Sequence, residues 1–151
     1  MKARLVYESL NEMNFQRKMD NPLSAMGIGQ NQLIKKWLDE MGITHYTIND
    51  DFIIDVNERV DLSGICIINF PDYIQFNRVN LSFDCEHCGL VSLRGCPIEV
   101  GGYFSCIDNE LTSLDGCPSY VDGDFYCDDN KTQFTREYVL DKCSVKGDIE
   151  V

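Results

Sequence analysis

Apolar residues recur along this chain with a fixed period of 21 residues between positions 79 and 130. Valine recurs at one position of each repeat, and a cysteine-proline pair recurs at another. Two further phases carry only phenylalanine or only cysteine, at Phe83, Phe104 and Phe125 and at Cys85, Cys106 and Cys127. A fixed period near 20 residues is typical of solenoids, in which each repeat is one coil stacked on the next. The pattern therefore predicts a repeat domain.

Within one unit, the alternation of side chains predicts which residues face the core. We expect the stretch V-x-G-x-F-x-C to be one strand, since successive side chains of a strand point to opposite faces. Its inward residues are Val100, Gly102, Phe104 and Cys106. Its outward columns are Asn80/Gly101/Asp122, Ser82/Tyr103/Asp124, Asp84/Ser105/Tyr126 and Glu86/Ile107/Asp128. The chain should then turn at Asn109, where stacked asparagines would bond the backbone groups that the turn leaves free.

The repeat phase extends beyond its regular part in both directions. The predicted units are 56–78, 79–99, 100–120 and 121–144, followed by a final strand over 145–151. Pro71 and Pro97 are 26 residues apart, five more than the period, so the first unit should contain a bulge or a longer strand near 74–78. Residues 134–143 read as a short helix with Thr135 as its N-cap.

Residues 1–55 are predicted to cap the solenoid. An irregular lead-in over 1–29, with one short turn at Asn21-Pro22, precedes a helix over 30–41 whose apolar residues fall on one stripe. Trp37 lies on that stripe and is interpreted as a core residue. Two strands follow as a hairpin, over 44–48 and 52–62. His45 has no partner nearby in the sequence and is interpreted as structural.

Eight cysteines suggest either a disulfide framework or a zinc site. Cys85 and Cys88 form a C-x-x-C pair, and His87 between them is a further candidate ligand. The repeat argues against zinc, because Cys85 shares its phase with two other cysteines and a phenylalanine replaces a cysteine at Phe70. We therefore interpret the cysteines as buried apolar columns, since free cysteine packs as a small hydrophobe.

The net charge is −12, and its distribution matters more than its total. Residues 79–130 carry ten acidic side chains and only one basic side chain, Arg94. A surface without a cationic patch disfavours nucleic-acid backbones and acidic membranes. This acidic surface is either a solvated, solubilising face or a docking face for a basic protein partner, and mimicry of a nucleic acid is a rarer third alternative.

The unit F-x-C-x-x-N-x-L resembles the leucine-rich-repeat core L-x-L-x-x-N/C-x-L. The stretches LTSLDGCPSYVDGDFYC and WLDEMGITHYTINDDFIIDV further resemble the repeats and the leader of leucine-rich-repeat-like proteins of tailed bacteriophages. The resemblance covers roughly residues 30–130. It implies a leucine-rich-repeat-like solenoid. With the elements predicted above, the expected fold class is an α+β repeat: a short leucine-rich-repeat-like β-solenoid with a helical N-terminal cap and a short C-terminal helix plus closing strand. The resemblance also implies a phage origin and no established biochemical activity.

The favoured function is therefore a non-enzymatic protein-interaction module of a bacteriophage, which binds a host, defence-system or virion protein. The contacts are expected from the acidic, tyrosine-bearing strand face, at Asp84, Glu86, Tyr103, Ser105, Ile107, Asp122, Asp124, Tyr126 and Asp128. One alternative is a virion-associated protein that self-associates, for example as a homodimer, through its terminal strand 149–151. A zinc-binding protein is the weaker alternative.

No catalytic constellation is evident, because the two histidines lie far apart in sequence and no serine lies in a nucleophile motif. We accordingly expect no catalytic residues and no cofactor. The N-terminus lacks the pattern of a secretory signal, and no apolar run is long enough to span a membrane. The expected location is the cytoplasm of the infected bacterium, or the virion.

Overall fold

The 21-residue repeat folds as a β-solenoid of about four turns, with two helices and a closing strand within residues 29–151. A computed structural model describes residues 29–151. The predicted lead-in before Gly29, including the turn at Asn21-Pro22, lies outside the described residues. The helical N-terminal cap is confirmed as α1 (Gln30–Glu40), and the predicted C-terminal helix is α2 (Arg136–Lys142).

Short strands of successive coils stack into two sheets. Sheet 1 has the order β1 (Tyr46–Ile48), β2 (Ile54–Val56), β4 (Phe76–Val79), β6 (Glu99–Val100), β8 (Tyr120–Val121) and β10 (Ser144–Val145). Sheet 2 has the order β11 (Ile149–Glu150), β9 (Phe125–Tyr126), β7 (Phe104–Ser105), β5 (Phe83–Asp84) and β3 (Val60–Asp61). All pairs are parallel except the hairpin β1–β2. The predicted boundary between residues 55 and 56 falls inside β2, so the cap and the coils share sheet 1.

The prediction of one continuous strand per V-x-G-x-F-x-C stretch is wrong. Val100 ends β6 in sheet 1, and Phe104 begins β7 in sheet 2. The chain bends between them at Gly101 and Gly102, because a Cβ on either glycine would run into Asn80 or Ser82 of the preceding coil. Gly102 is therefore a corner residue rather than an inward residue of a strand.

The predicted repeat phases are nevertheless the registers of the two sheets. The valine phase aligns Val56, Val79, Val100 and Val121 across sheet 1. The phenylalanine phase aligns Val60, Phe83, Phe104 and Phe125 across sheet 2. Every residue of both sets is at most 1% exposed, so the inward positions are confirmed.

An aromatic column runs through the core along the solenoid axis. The ring centroids of Phe83, Phe104 and Phe125 follow one another at 6.0 and 5.1 Å. Phe76 lies 5.6 Å from Phe83, and Trp37 of α1 lies 6.3 Å from Phe76. The interpretation of Trp37 as a core residue is confirmed, and α1 packs against the first coil through this contact.

The asparagine ladder is present at the turns that follow β7 and β9 of sheet 2. The buried Asn109 side chain donates to the Cys85 and Cys106 carbonyls at 2.8 and 3.1 Å, and its oxygen accepts from the amides of Cys88 and Leu90 at 3.2 and 2.8 Å. Asn130 repeats the donors one coil later. Side chains thus satisfy backbone groups that the turn would leave unpaired.

The first coil departs from the repeat in two ways. The predicted single strand over 52–62 is wrong: it is divided into β2 and β3, which belong to different sheets. Glu58 holds the bend between them, because its carboxylate accepts from the amides of Thr44 and His45 at 2.6 and 3.0 Å. The predicted bulge is confirmed, since Ile54 pairs with Phe76 and Asp55 pairs with Arg78, which leaves one residue extra.

The last coil replaces the turn of earlier units with α2. Thr135 caps the helix by accepting from the Tyr138 amide at 3.2 Å, as predicted. The final strand 145–151 is divided like the others into β10 and β11, which extend sheet 1 and sheet 2 respectively. No helix within residues 29–151 combines the length and apolar character needed to cross a bilayer.

Candidate functional site

The outward side of sheet 2 brings most of the predicted contact residues together. Three columns form what we call the outer face: Arg59/Ser82/Tyr103/Asp124/Asp148, Asp61/Asp84/Ser105/Tyr126/Glu150 and Ser63/Glu86/Ile107/Asp128. The face carries seven carboxylates against one guanidinium. Its charge, rather than an enclosed cavity, is its main chemical property.

Asp122 is the predicted contact residue that does not join this face. It follows β8 at the corner between the sheets, because the strand that was expected to be continuous bends there. Its carboxylate accepts from the Tyr120 hydroxyl at 2.7 Å and lies 3.9 Å from Lys146 Nζ. It lines a separate shallow cavity of about 320 Å³ with Arg78 and Asn80.

Arg59 lies at the N-terminal end of the outer face. Its Nη2 atom lies 3.1 Å from carboxylate oxygens of both Asp61 and Asp84. Its Cζ atom lies 5.6 Å from the centre of the Tyr103 ring. Sequence reasoning missed Arg59, although the signal was present: Val60 shares the phase of Phe104, so Arg59 shares the outward phase of Tyr103.

Asp84 and Ser105 are outward by register but only 5% and 2% exposed. Arg59 and Tyr103 pair with the Asp84 carboxylate, the latter by donating its hydroxyl at 3.0 Å. Burial, and then this hydrogen bond to a carboxylate, raises the pKa of Tyr103 to about 12. Tyr103 is therefore a neutral hydrogen-bond donor across the physiological pH range.

Tyr126 lies one coil further on and contacts Tyr103 edge to face, with ring centroids 6.0 Å apart. Its hydroxyl donates to Asp124 at 2.9 Å, and the other oxygen of that carboxylate accepts from the Asp148 amide at 2.8 Å. The hydrogen bond to Asp124, with the charges of Glu150 and Asp148 nearby, raises the pKa of Tyr126. The ring is thus fixed by a hydrogen bond and surrounded by negative charge.

The third column completes the face on its far side. Ser105 donates to the Glu86 carboxylate at 3.4 Å, while Ile107 is half-buried beside them. Asp128 follows Tyr126 by two residues on the same side of β9, and its Oδ1 atom is buried without a hydrogen-bond partner among the described residues. A buried carboxylate oxygen without a donor is costly, by about 1–3 kcal/mol or more.

The residues of the zinc alternative have other partners. The Cys85 thiol donates to the Ser105 carbonyl at 3.2 Å, and the Cys88 thiol donates to the Leu62 carbonyl at 3.0 Å. His87 points to Asp108, with Nδ1 and Oδ2 2.6 Å apart. Within residues 29–151, no group of three or more histidine, cysteine or acidic side chains is arranged to hold a metal ion.

The interpretation of the cysteines as core residues is confirmed for the repeat columns. Cys85, Cys106 and Cys127 are at most 1% exposed, Cys96 is 2% exposed, and all eight cysteines are free thiols. Burial raises the pKa of four of these thiols to about 12: Cys88, Cys117, Cys127 and Cys143. These thiols stay protonated at neutral pH, which disfavours nucleophilic and metal chemistry because both need the thiolate.

A groove of about 900 Å³, which sequence reasoning did not predict, lies where the G-C-P corners of two coils meet α2. Its floor contains Gly95-Cys96 and Gly116-Cys117. Lys142 Nζ lies 2.6 Å from Asp115 Oδ1 at this groove. Other polar side chains also line the groove, among them Asp72 and Arg94.

Comparison with known proteins assigns no function to the outer face. No protein-family model, no curated protein and no solved structure matches this chain.

Proposed function

We propose that this chain is a non-enzymatic protein-interaction module that binds a basic protein partner through the outer face of sheet 2. The observation that carries the proposal is the composition of that face: seven carboxylates and two tyrosines surround a single cation, Arg59. Charged and aromatic side chains on a rigid strand scaffold favour specific recognition, since aromatic anchors dominate interface energetics and charge complementarity steers association.

The sequence resemblance supplies the biological context of the proposal. If the chain belongs among the leucine-rich-repeat-like proteins of tailed bacteriophages, its partner is a host, defence-system or virion protein. The rigidity of the face supports a binding role, because its side chains are held by one another and by neighbouring coils before any partner arrives. A preorganised face loses less conformational entropy on binding.

The experiment compares two variants with the same change of charge. In the face variant, Glu86, Asp124 and Asp128 become lysine; in the control variant, the exposed residues Asp122, Glu137 and Asp141 become lysine. Immobilised wild type and both variants are incubated with bacterial lysate, and each retained protein is then purified and its affinity measured. A basic protein retained by wild type and control but lost by the face variant is expected; equal affinity for all three would refute the proposal.

Self-association is a second candidate, favoured by the edges of the two sheets. No strand within residues 29–151 pairs with the outer edge of β10 or of β11. Unpaired edges can recruit another strand. Molar mass measured by light scattering during size-exclusion chromatography, over a range of concentrations, separates the candidates: a mass of one chain at every concentration counts against self-association.

A further inference from the structure

The outer face already holds one guanidinium, which shows what kind of group it accommodates. Arg59 bridges the carboxylates of Asp61 and Asp84 at 3.1 Å while it lies over the Tyr103 ring. Planar donors paired with carboxylates, together with stacking on an aromatic face, are the contacts that distinguish arginine from lysine. This end of the face is therefore occupied from within the chain.

The other end of the face has the same kinds of groups without a cation. Three tyrosines in the described chain have a cation over their rings, namely Tyr103, Tyr120 and Tyr138. Tyr126 has none within residues 29–151, although Asp124, Asp148 and Glu150 surround it. None of these three carboxylates is paired with a cation in the described chain.

An independent feature next to Tyr126 also lacks its donor. Asp128 Oδ1 is the only buried side-chain oxygen or nitrogen in the described chain without a hydrogen-bond partner. Such atoms are rare in folded proteins, and a water or an ion can supply the missing donor. A donor on the outer face of β9 would meet an aromatic ring and several carboxylates that have no cation.

We propose that the partner inserts an arginine side chain at Tyr126, with its guanidinium over the ring and its N–H groups directed to Asp124, Asp148 and Glu150. This inference rests on the proposed function and specifies the chemistry of its partner. Arginine fits better than lysine, because five N–H donors in a plane can serve several carboxylates while the same plane stacks on the ring. Arg59 is then the internal counterpart of the partner's arginine.

The test uses two peptides of equal charge, tetra-arginine and tetra-lysine, and measures their affinities for the full chain by calorimetry. The wild type should bind the arginine peptide more tightly. Tyr126→Leu should weaken arginine binding about two- to fivefold, the range of an exposed cation–π contact, and remove the preference over lysine. Tyr126→Phe keeps the ring and should keep the preference. Tyr120→Leu is the matched control in sheet 1 and should change nothing.

A second pair of variants keeps the test valid if Tyr126→Leu does not fold. Asp148→Asn/Glu150→Gln removes two exposed charges at the site, and Glu137→Gln/Asp141→Asn removes two exposed charges on α2. The first pair should lower affinity for tetra-arginine more than the second. Equal effects of the two pairs, or equal affinity of the wild type for both peptides, would overturn the inference, as would the absence of tetra-arginine binding at millimolar concentration.

The two proposals fail in different ways. If charge reversal at Glu86, Asp124 and Asp128 weakens both peptides equally while Tyr126→Leu has no effect, the acidic face binds cations but the arginine site is wrong. If that charge reversal leaves both affinities unchanged, the face itself is not the binding surface.

Discussion

Replacing Asn109 with alanine should lower the free energy of unfolding by about 3 kcal/mol or more, because three buried backbone groups lose their partner at about 1–3 kcal/mol each. The amides of Cys88 and Leu90 and the carbonyl of Cys85 are bonded by this side chain. The Cys106 carbonyl is spared, since Asn130 also donates to it at 3.0 Å. The expected loss is a large part of the stability of a typical domain.

Two further substitutions calibrate this result. Asn130→Ala should cost less, because Asn130 is only partly buried and its oxygen accepts from a single amide, that of Leu111. Thr112→Ala, at an exposed position one residue after Leu111, should change stability by less than about 0.5 kcal/mol.

The assay is equilibrium unfolding in urea under reducing conditions. Trp37 is the only tryptophan, is 7% exposed and packs on the first coil, so its fluorescence reports on the cap. Circular dichroism reports on the coils. A loss below about 1 kcal/mol for Asn109→Ala, the net value of one ordinary hydrogen bond, would refute the ladder as a stabilising element. A larger loss for Asn130→Ala than for Asn109→Ala would refute its ranking by burial.

Three other predictions concern charge, backbone and thiols. The His45 and Thr44 amides hold the pKa of Glu58 at about 2, below its ordinary value of 4.5. The stability that this carboxylate contributes is therefore present above pH 4.5 and is lost as the pH falls toward 2. Glu58→Gln should lower the stability at pH 7 and flatten that part of the stability profile in urea unfolding. Gly116→Ala should lower the melting temperature more than Gly89→Ala. Both glycines have positive φ, but only at Gly116 would a Cβ meet backbone of the preceding coil, at 2.8 Å. Equal decreases in melting temperature would contradict the close packing of the coils. A thiol reagent at neutral pH should modify the exposed Cys66 quickly, the half-buried Cys117 more slowly, and the six buried cysteines only after denaturant is added. Rapid reaction of several thiols would contradict the buried columns.

The repeat could be read from the sequence because packing repeats with it. Each valine, phenylalanine and cysteine phase is a column of residues in equivalent environments, so periodicity alone identified the inward positions, the asparagine ladder and the excess length of the first coil. Local signals likewise predicted both helices: an apolar stripe predicted α1, and the N-cap Thr135 predicted α2.

The corner of each coil could not be predicted in this way. A bend at Gly101-Gly102 and a straight strand have the same pattern of apolar residues, and the difference depends on contact with Asn80 and Ser82 of another coil. For the same reason Asp122 was assigned to the outer face, from which the bend removes it. Burial of Asp84 depends on Arg59 and Tyr103, which are 25 and 19 residues away in sequence.

The register of the coils also makes the length of this protein adjustable in discrete steps. Each strand bonds only to the strands directly before and after it in the stack, and Gly102 and Gly123 occupy equivalent corners. Inserting a second copy of residues 100–120 after Tyr120 would therefore repeat contacts that already exist, lengthening the stack by about 4.8 Å, the spacing of neighbouring strands. The added coil would place one more tyrosine and one more serine on the outer face. Unit duplication thus changes the reach of the face while leaving α1 and α2 with their present neighbours.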